Sequence, residues 1–146
     1  VSKIFSLENP PEFNGKVVQC HGVFDLLHVG HVDALKLAKT LGDTLVVSVT
    51  ADYYVNKGPG RPIIHDIHRA EMLAALACVD YVCINNWSSA IPALKAIRPD
   101  IYVKHKEYAL TQCDEFIFAQ EIGAEIKFLD TIKFSTTGII ERCKRV

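Results

Sequence analysis

Short runs of apolar, β-branched residues alternate along this chain with segments whose apolar positions recur at helical spacing. That alternation constrains the fold more than any other feature. The run at 44–49, Thr-Leu-Val-Val-Ser-Val, is nearly all apolar, as a strand covered on both faces requires. Similar runs at 17–21, 81–84, 101–104 and 125–129 predict further strands. Helical spacing predicts helices over 32–41, 66–77, 90–97, 111–122 and 136–143. Gly42, Pro99 and Gly123 stand where three of them should stop. Strands separated by helices pair in parallel through right-handed crossovers. The expected fold is therefore α/β: a doubly wound, Rossmann-like, three-layer domain on a five-stranded parallel sheet. Ligands of such folds lie beyond the carboxyl ends of the strands.

A length of 146 residues with 49% apolar content fits one domain with a real core. We expect a single domain over 1–146, with 1–15 as a lead-in segment. The chain opens at Val1 without a methionine, which raises the expectation of a domain excised from a longer chain. Sixteen basic and 17 acidic residues leave a net charge of −1. With no basic stripe, nucleic acid is not an expected partner. No apolar run reaches membrane-spanning length, so no membrane partner is expected either. The five cysteines are scattered and form no CxxC pair, which fits reduced thiols in a cytoplasmic protein.

His28-Val29-Gly30-His31 follows the first strand and opens the first helix. Histidines at i and i+3 share one helix face. Free main-chain N–H groups and the positive end of the macrodipole lie at the same place. Imidazole donors, a glycine that admits close approach and a helix start together suit a polyanion such as a nucleoside triphosphate. A zinc site built from His28 and His31 with Cys20 or His21 would lack a second ligand pair of structural spacing, so no metal ligands are assigned.

The stretch Gly22-Val23-Phe24-Asp25-Leu26-Leu27-His28-Val29-Gly30-His31 resembles the GxFDxxHxGH signature of the cytidylyltransferase-like nucleotidyltransferases. The resemblance covers about residues 15 to 143. It implies that His28 and His31 are catalytic donors and that Gly22, Val23, Phe24, Asp25 and Gly30 belong to the nucleotide pocket.

Further motifs extend the likeness. The loop Asn56-Lys57-Gly58-Pro59-Gly60-Arg61-Pro62 is not a Walker A loop. With the pattern at 69–82 it resembles sugar-phosphate nucleotidyltransferases of the ADP-heptose synthase type, related versions of which occur beside a carbohydrate kinase domain. By that resemblance Lys57 is catalytic, and Arg61 and Arg69 contact phosphate on the acceptor. Ser135-Thr136-Thr137 resembles the family's ISTTxI motif, which implies triphosphate binding; on its own, Ser135 or Thr136 is simply a good N-cap. Residues 103–108 resemble the family's VKGGDY, which places Lys104 and Tyr108 at the nucleotide. His105 and Lys106 replace the two glycines there, and Glu107 replaces the aspartate.

The expected activity is transfer of a nucleoside monophosphate from ATP or CTP to a sugar phosphate or polyol phosphate, with release of pyrophosphate. Magnesium is expected to arrive with the nucleotide, and the family's habit makes a homodimer the expected assembly. Two alternatives stand beside this. One is a cytidylyltransferase acting on glycerol 3-phosphate or a phospho-alcohol such as phosphoethanolamine. The other is a degenerate nucleotide-binding domain without turnover, suggested by the altered 105–106 loop.

Overall fold

The computed structural model of the chain describes residues 2–106, 109, 113–130 and 136–145. Its elements are β1 (Val17–Gly22), α1 (Val29–Lys39), β2 (Thr44–Thr50), a 3₁₀ turn (Asp52–Tyr54), α2 (Asp66–Ala74), β3 (Tyr81–Asn85), α3 (Ile91–Ile97), β4 (Ile101–His105), α4 (Asp114–Glu121), β5 (Glu125–Leu129) and α5 (Thr136–Lys144). The strands form one sheet in the order β3-β2-β1-β4-β5, and every neighbouring pair is parallel. The chain winds outward from β1 through β2 to β3, then returns to the other side of β1 for β4 and β5. The reversal leaves a crevice between the carboxyl ends of β1 and β4, where ligands bind in open α/β sheets.

Alternation along the strands divides the core. Val18 and Cys20 of β1 and Leu45, Val47 and Val49 of β2 pack with Leu35 and Ala38 of α1 and Ala70 and Leu73 of α2. On the opposite face, Val17, Val46 and Cys83 meet Ala93 and Ile97 of α3. Leu94, Tyr102, Phe116 and Ala119 continue that layer under α3 and α4. All seven residues of β2 are buried, as its continuous apolar run requires.

Most boundaries agree with the periodicity, and the exceptions have local causes. α1 begins at Val29, because His28 caps it. α2 ends at Ala74 and not at 77. The turns after it tighten, with Leu76 N–H bonding Leu73 and Val79 N–H bonding Leu76. Lys3 Nζ then takes the carbonyls of Leu76 and Val79 at 3.1 and 2.8 Å. The predicted start of the fourth helix at 111–112 lies outside the described residues, and Cys113 caps a helix from Asp114. α3 stops at Arg98, which turns left-handed (φ 49°) ahead of Pro99. That agrees with the steric exclusion of αR before proline.

The lead-in is stitched to the sheet. Ile4 bridges Val82 in parallel, Phe5 N–H and Lys3 carbonyl bond Val82 at 2.9 Å each, and Phe5, Phe13 and Tyr81 stack edge to face. Among the described residues, no helix is long and apolar enough to cross a membrane.

Candidate active site

The chain leaves β1 through an unusual turn. Phe24 and Leu26 both take positive φ, 55° and 45°, a conformation that costs non-glycine residues about 1–3 kcal/mol each. Between them Asp25 is turned inward and is 2% exposed. Gly22 leaves room for the Phe24 ring, since a Cβ there would lie a tight 3.0 Å from it.

Asp25 supplies the bonds that offset this strain. Its Oδ2 accepts the N–H of Ile63 at 2.8 Å and Arg61 Nε at 3.2 Å, and its Oδ1 accepts the N–H of Ile64 at 3.0 Å. Its main-chain carbonyl accepts the hydroxyl of Thr136, the first residue of α5. Burial pushes the Asp25 carboxyl upward, but the two amides and the Arg61 guanidinium outweigh it and hold the group below the usual carboxylate range. One residue thus ties the signature turn both to the loop after β2 and to the last helix. Arg61 extends the tie with a 3.4 Å bond to the Thr137 hydroxyl.

The histidines form a reciprocal cap on α1. His28, the N-cap, accepts the N–H of Gly30 on Nδ1 at 3.1 Å, and His31 accepts the N–H of His28 on Nδ1 at 3.2 Å. A neutral imidazole that accepts on Nδ1 carries its proton on Nε2. Burial lowers both pKa values, that of His31 to about 4, with His28 adding to the effect and Asp25 opposing it. Both rings are therefore neutral Nε2–H donors at pH 7. Phe24 packs against His31 with ring centroids 5.4 Å apart.

The remaining candidates divide. Lys57 is exposed on the loop after β2, where Gly58 and Gly60 take φ of 92° and 76°. Tyr108 and Ser135 lie outside the described residues. Thr136 is buried with its proton committed to Asp25, whereas Thr137 is exposed. Lys104 stands at the crevice, its Nζ 3.4 Å from the His21 carbonyl and 3.4 Å from Glu115. Lys106 turns toward β5 and pairs with Asp130 at 3.0 Å.

Arg69 lies inside the fold, its side chain 0% exposed. Nε bonds the Ile64 carbonyl, Nη1 those of Val23 and Thr50, and Nη2 the Asp52 carboxylate, at 2.7–2.8 Å. Those bonds leave one guanidinium hydrogen unspent. They fix the ends of β1 and β2 against the start of α2. Sequence reasoning also missed Glu115 and gave His21 no role beyond a zinc alternative. The available signal was the polar alternation Gln19-His21 in β1 beside Ser48-Thr50 in β2.

Comparison with known proteins agrees with this geometry. The profile of the family described as Cytidylyltransferase-like matches residues 20–142. The chain is 40% identical over 129 residues to the bifunctional protein HldE of Syntrophotalea carbinolica, covering 86% of this chain and 26% of that protein. It is 39% identical over 142 residues to the bifunctional protein HldE of Helicobacter pylori, covering 95% and 30%. The chain thus spans less than a third of the length of these relatives. The lipopolysaccharide core biosynthesis protein from Thermoplasma volcanium superposes with a TM-score of 0.67 at 27% identity, covering 84% of this chain and all of that one. Pantothenate synthetase from Thermus thermophilus shares the fold alone, with a TM-score of 0.57 at 13% identity over 88% of this chain and 64% of that one. The strained signature turn, its paired imidazoles and the family match lead to one conclusion: this chain belongs to the Cytidylyltransferase-like family and is a nucleotidyltransferase domain related to HldE proteins.

Proposed function

We propose that the domain transfers a nucleoside monophosphate from ATP or CTP to the phosphate of a sugar phosphate or polyol phosphate. An acceptor phosphate oxygen attacks the α-phosphorus in line. The bond from that phosphorus to the α,β-bridging oxygen breaks, and pyrophosphate leaves with the electron pair. The acceptor is already anionic, so no protein nucleophile is required. Catalysis then rests on positioning and on donors placed where charge develops.

The observation that carries this reading is the pair of neutral Nε2–H imidazoles at the start of α1, joined through Asp25 to Arg61 and to the start of α5. His28 and His31 donate to the oxygens that gain charge, and Gly30 lets the phosphates approach the helix start. Arg61 and Lys57 neutralise acceptor or leaving-group charge. Thr137, with Ser135 and the amides of α5, anchors the β- and γ-phosphates, while Thr136 holds that helix in place. Lys104, near the end of β4, and Tyr108 meet the nucleotide. Among the described residues no three His, Cys, Asp or Glu side chains converge on a metal position, and the donors at the site are imidazoles, hydroxyls and cations. That set fits magnesium held by triphosphate oxygens and water, where it would screen the phosphate charge.

The length of the HldE relatives supports a parent protein with a carbohydrate kinase domain beside this one, and we expect a cytoplasmic homodimer. The deciding experiment is a coupled pyrophosphate assay crossing ATP and CTP against sugar 1-phosphates, polyol phosphates and phosphoethanolamine. Release with sugar phosphates, or with polyol phosphates larger than glycerol 3-phosphate, supports the reading. Release only with glycerol 3-phosphate or phosphoethanolamine and CTP moves it to the phospho-alcohol class. Nucleotide binding without release from any pair makes the domain a non-catalytic binder.

A further inference from the structure

On the sheet face that packs against α3 and α4, a polar network runs where apolar packing would be ordinary. Gln19 and Ser48 are both 0% exposed. Gln19 Nε2 donates to Ser48 Oγ at 3.0 Å, and Ser48 Oγ lies 2.8 Å from His21 Nδ1. His21 Nε2 is 3.4 Å from the Thr50 hydroxyl. Across the β1–β4 crevice, Lys104 links the His21 carbonyl to Glu115. Glu115 also accepts the Tyr102 hydroxyl at 3.0 Å and the N–H of Ala90 at 3.3 Å.

Two features make this more than internal scaffolding. Gln19 Oε1 is buried and has no hydrogen-bond partner among the described residues, an unfavourable state for an amide oxygen that fits a residue kept for its bond to Ser48 and, through it, to His21. The network also ends at the crevice, where the side chains of Lys104 and Glu115 are 16% and 15% exposed. His21 stays neutral there: burial first, then the Lys104 charge, lower its pKa to about 3. Where it meets the crevice, the wall therefore offers a carboxylate, an ammonium and a neutral imidazole, with the Gln19 amide and the Ser48 hydroxyl buried behind them. Such a mixed set of donors and acceptors matches hydroxyl groups, each of which both donates and accepts.

We propose that His21 and Glu115, with His21 held in place by the fully buried Gln19–Ser48 pair, form a subsite that recognises the hydroxyl groups of a polyhydroxylated acceptor phosphate. The proposal rests on the nucleotidyl-transfer reading of this site. The end of β1 separates this wall from the imidazoles at the start of α1, so the acceptor would lay its hydroxyls on one side and present its phosphate to the other.

The test is calorimetric and does not depend on turnover. Hexose 1-phosphate, its singly deoxygenated analogues and phosphoethanolamine are titrated into the unaltered protein, then into Glu115→Gln and His21→Phe. Loss of one hydrogen bond to a charged group corresponds to about tenfold or more in affinity. At least one deoxy analogue should bind that much more weakly than the parent sugar. Both variants should lose affinity for hexose 1-phosphate while binding phosphoethanolamine as before, and His21→Phe, which leaves the Lys104–Glu115 pair intact, should also bind nucleoside triphosphate as before. Equal binding of all deoxy analogues overturns the proposal without needing any variant to fold. So does preferential loss of triphosphate binding in His21→Phe, which would give the wall to the nucleotide. Discrimination among deoxy analogues with no pyrophosphate released from any pair would keep the subsite and sink the transfer reaction.

Discussion

The imidazoles of His28 and His31 stack with centroids 3.8 Å apart and planes inclined by 24°. Each spends Nδ1 on a main-chain N–H, so capping the helix also fixes which ring nitrogen carries the proton. Replacing His31 by alanine removes a donor and one cap bond. The cap contributes about 1 kcal/mol, whereas loss of a placed donor lowers kcat by about 10²–10³-fold. His31→Ala should fold, melt slightly earlier and lose most turnover. Turnover within a few-fold of the parent would remove His31 from the transition state.

Burial fixes the charge state of two histidines. His31 is held to about 4 and His21 to about 3, both below the ordinary value near 6.5. Folded-state pKa values below the unfolded ones mean the unfolded chain takes up protons first as pH falls. Stability contributed by the neutral rings is therefore full above about pH 6.5 and is lost as pH drops toward 4 for His31 and 3 for His21. Nitrogen-detected NMR should show Nε2–H tautomers for His28 and His31 at neutral pH, with no His31 titration near 6.5. Urea midpoints should fall across the same acid range.

Arg69 separates structure from substrate contact. Arg69→Met would strip partners from the Asp52 carboxylate and from the carbonyls of Val23, Thr50 and Ile64. Breaking such a buried charged network costs about 3–5 kcal/mol. Chemical denaturation should show a loss of that size. Unchanged stability with weakened binding of a phosphorylated acceptor would restore Arg69 as a phosphate ligand.

Adjacent threonines should behave differently. Thr136→Val leaves the Asp25 carbonyl without its hydroxyl donor, at a cost of about 1–3 kcal/mol for a buried unsatisfied group. Thr137 is exposed and bonded only weakly to Arg61. Thr137→Val should keep the melting temperature and weaken triphosphate binding more than monophosphate binding. Equal losses for the two nucleotides in calorimetry would reduce Thr137 to a structural position.

The chain departs from the family pattern at His105, the last residue of β4, and at Lys106 just after it. Residues with a Cβ and long side chains alter how closely that backbone approaches a ligand, and Lys106 is already engaged with Asp130. That ion pair is largely exposed, 59% and 72% for its two side chains, so its loss should cost under about 1 kcal/mol. Glycine at both positions should shift preference among nucleotides or acceptors more than it shifts stability. An identical substrate profile would show that the loop touches neither ligand.

Local chemistry explains what the sequence by itself determined. Strand and helix alternation, the HxGH segment at a helix start and the C-terminal turn at Gly123 (φ 85°) all follow from periodicity and capping within a few residues. Short-range steric and hydrogen-bond rules decide such features before any tertiary contact forms. Contacts between distant residues needed the folded sheet. Asp25 reaches Ile63 38 positions away and Thr136 111 positions away, and His21 meets Ser48 only because β1 and β2 pair in that register. Arg69 reads in the chain as one more surface cation near a phosphate loop. Only the convergence of β1, β2 and α2 buries it and spends its donors on carbonyls. Strand order and register choose those partners, and no local pattern carries them.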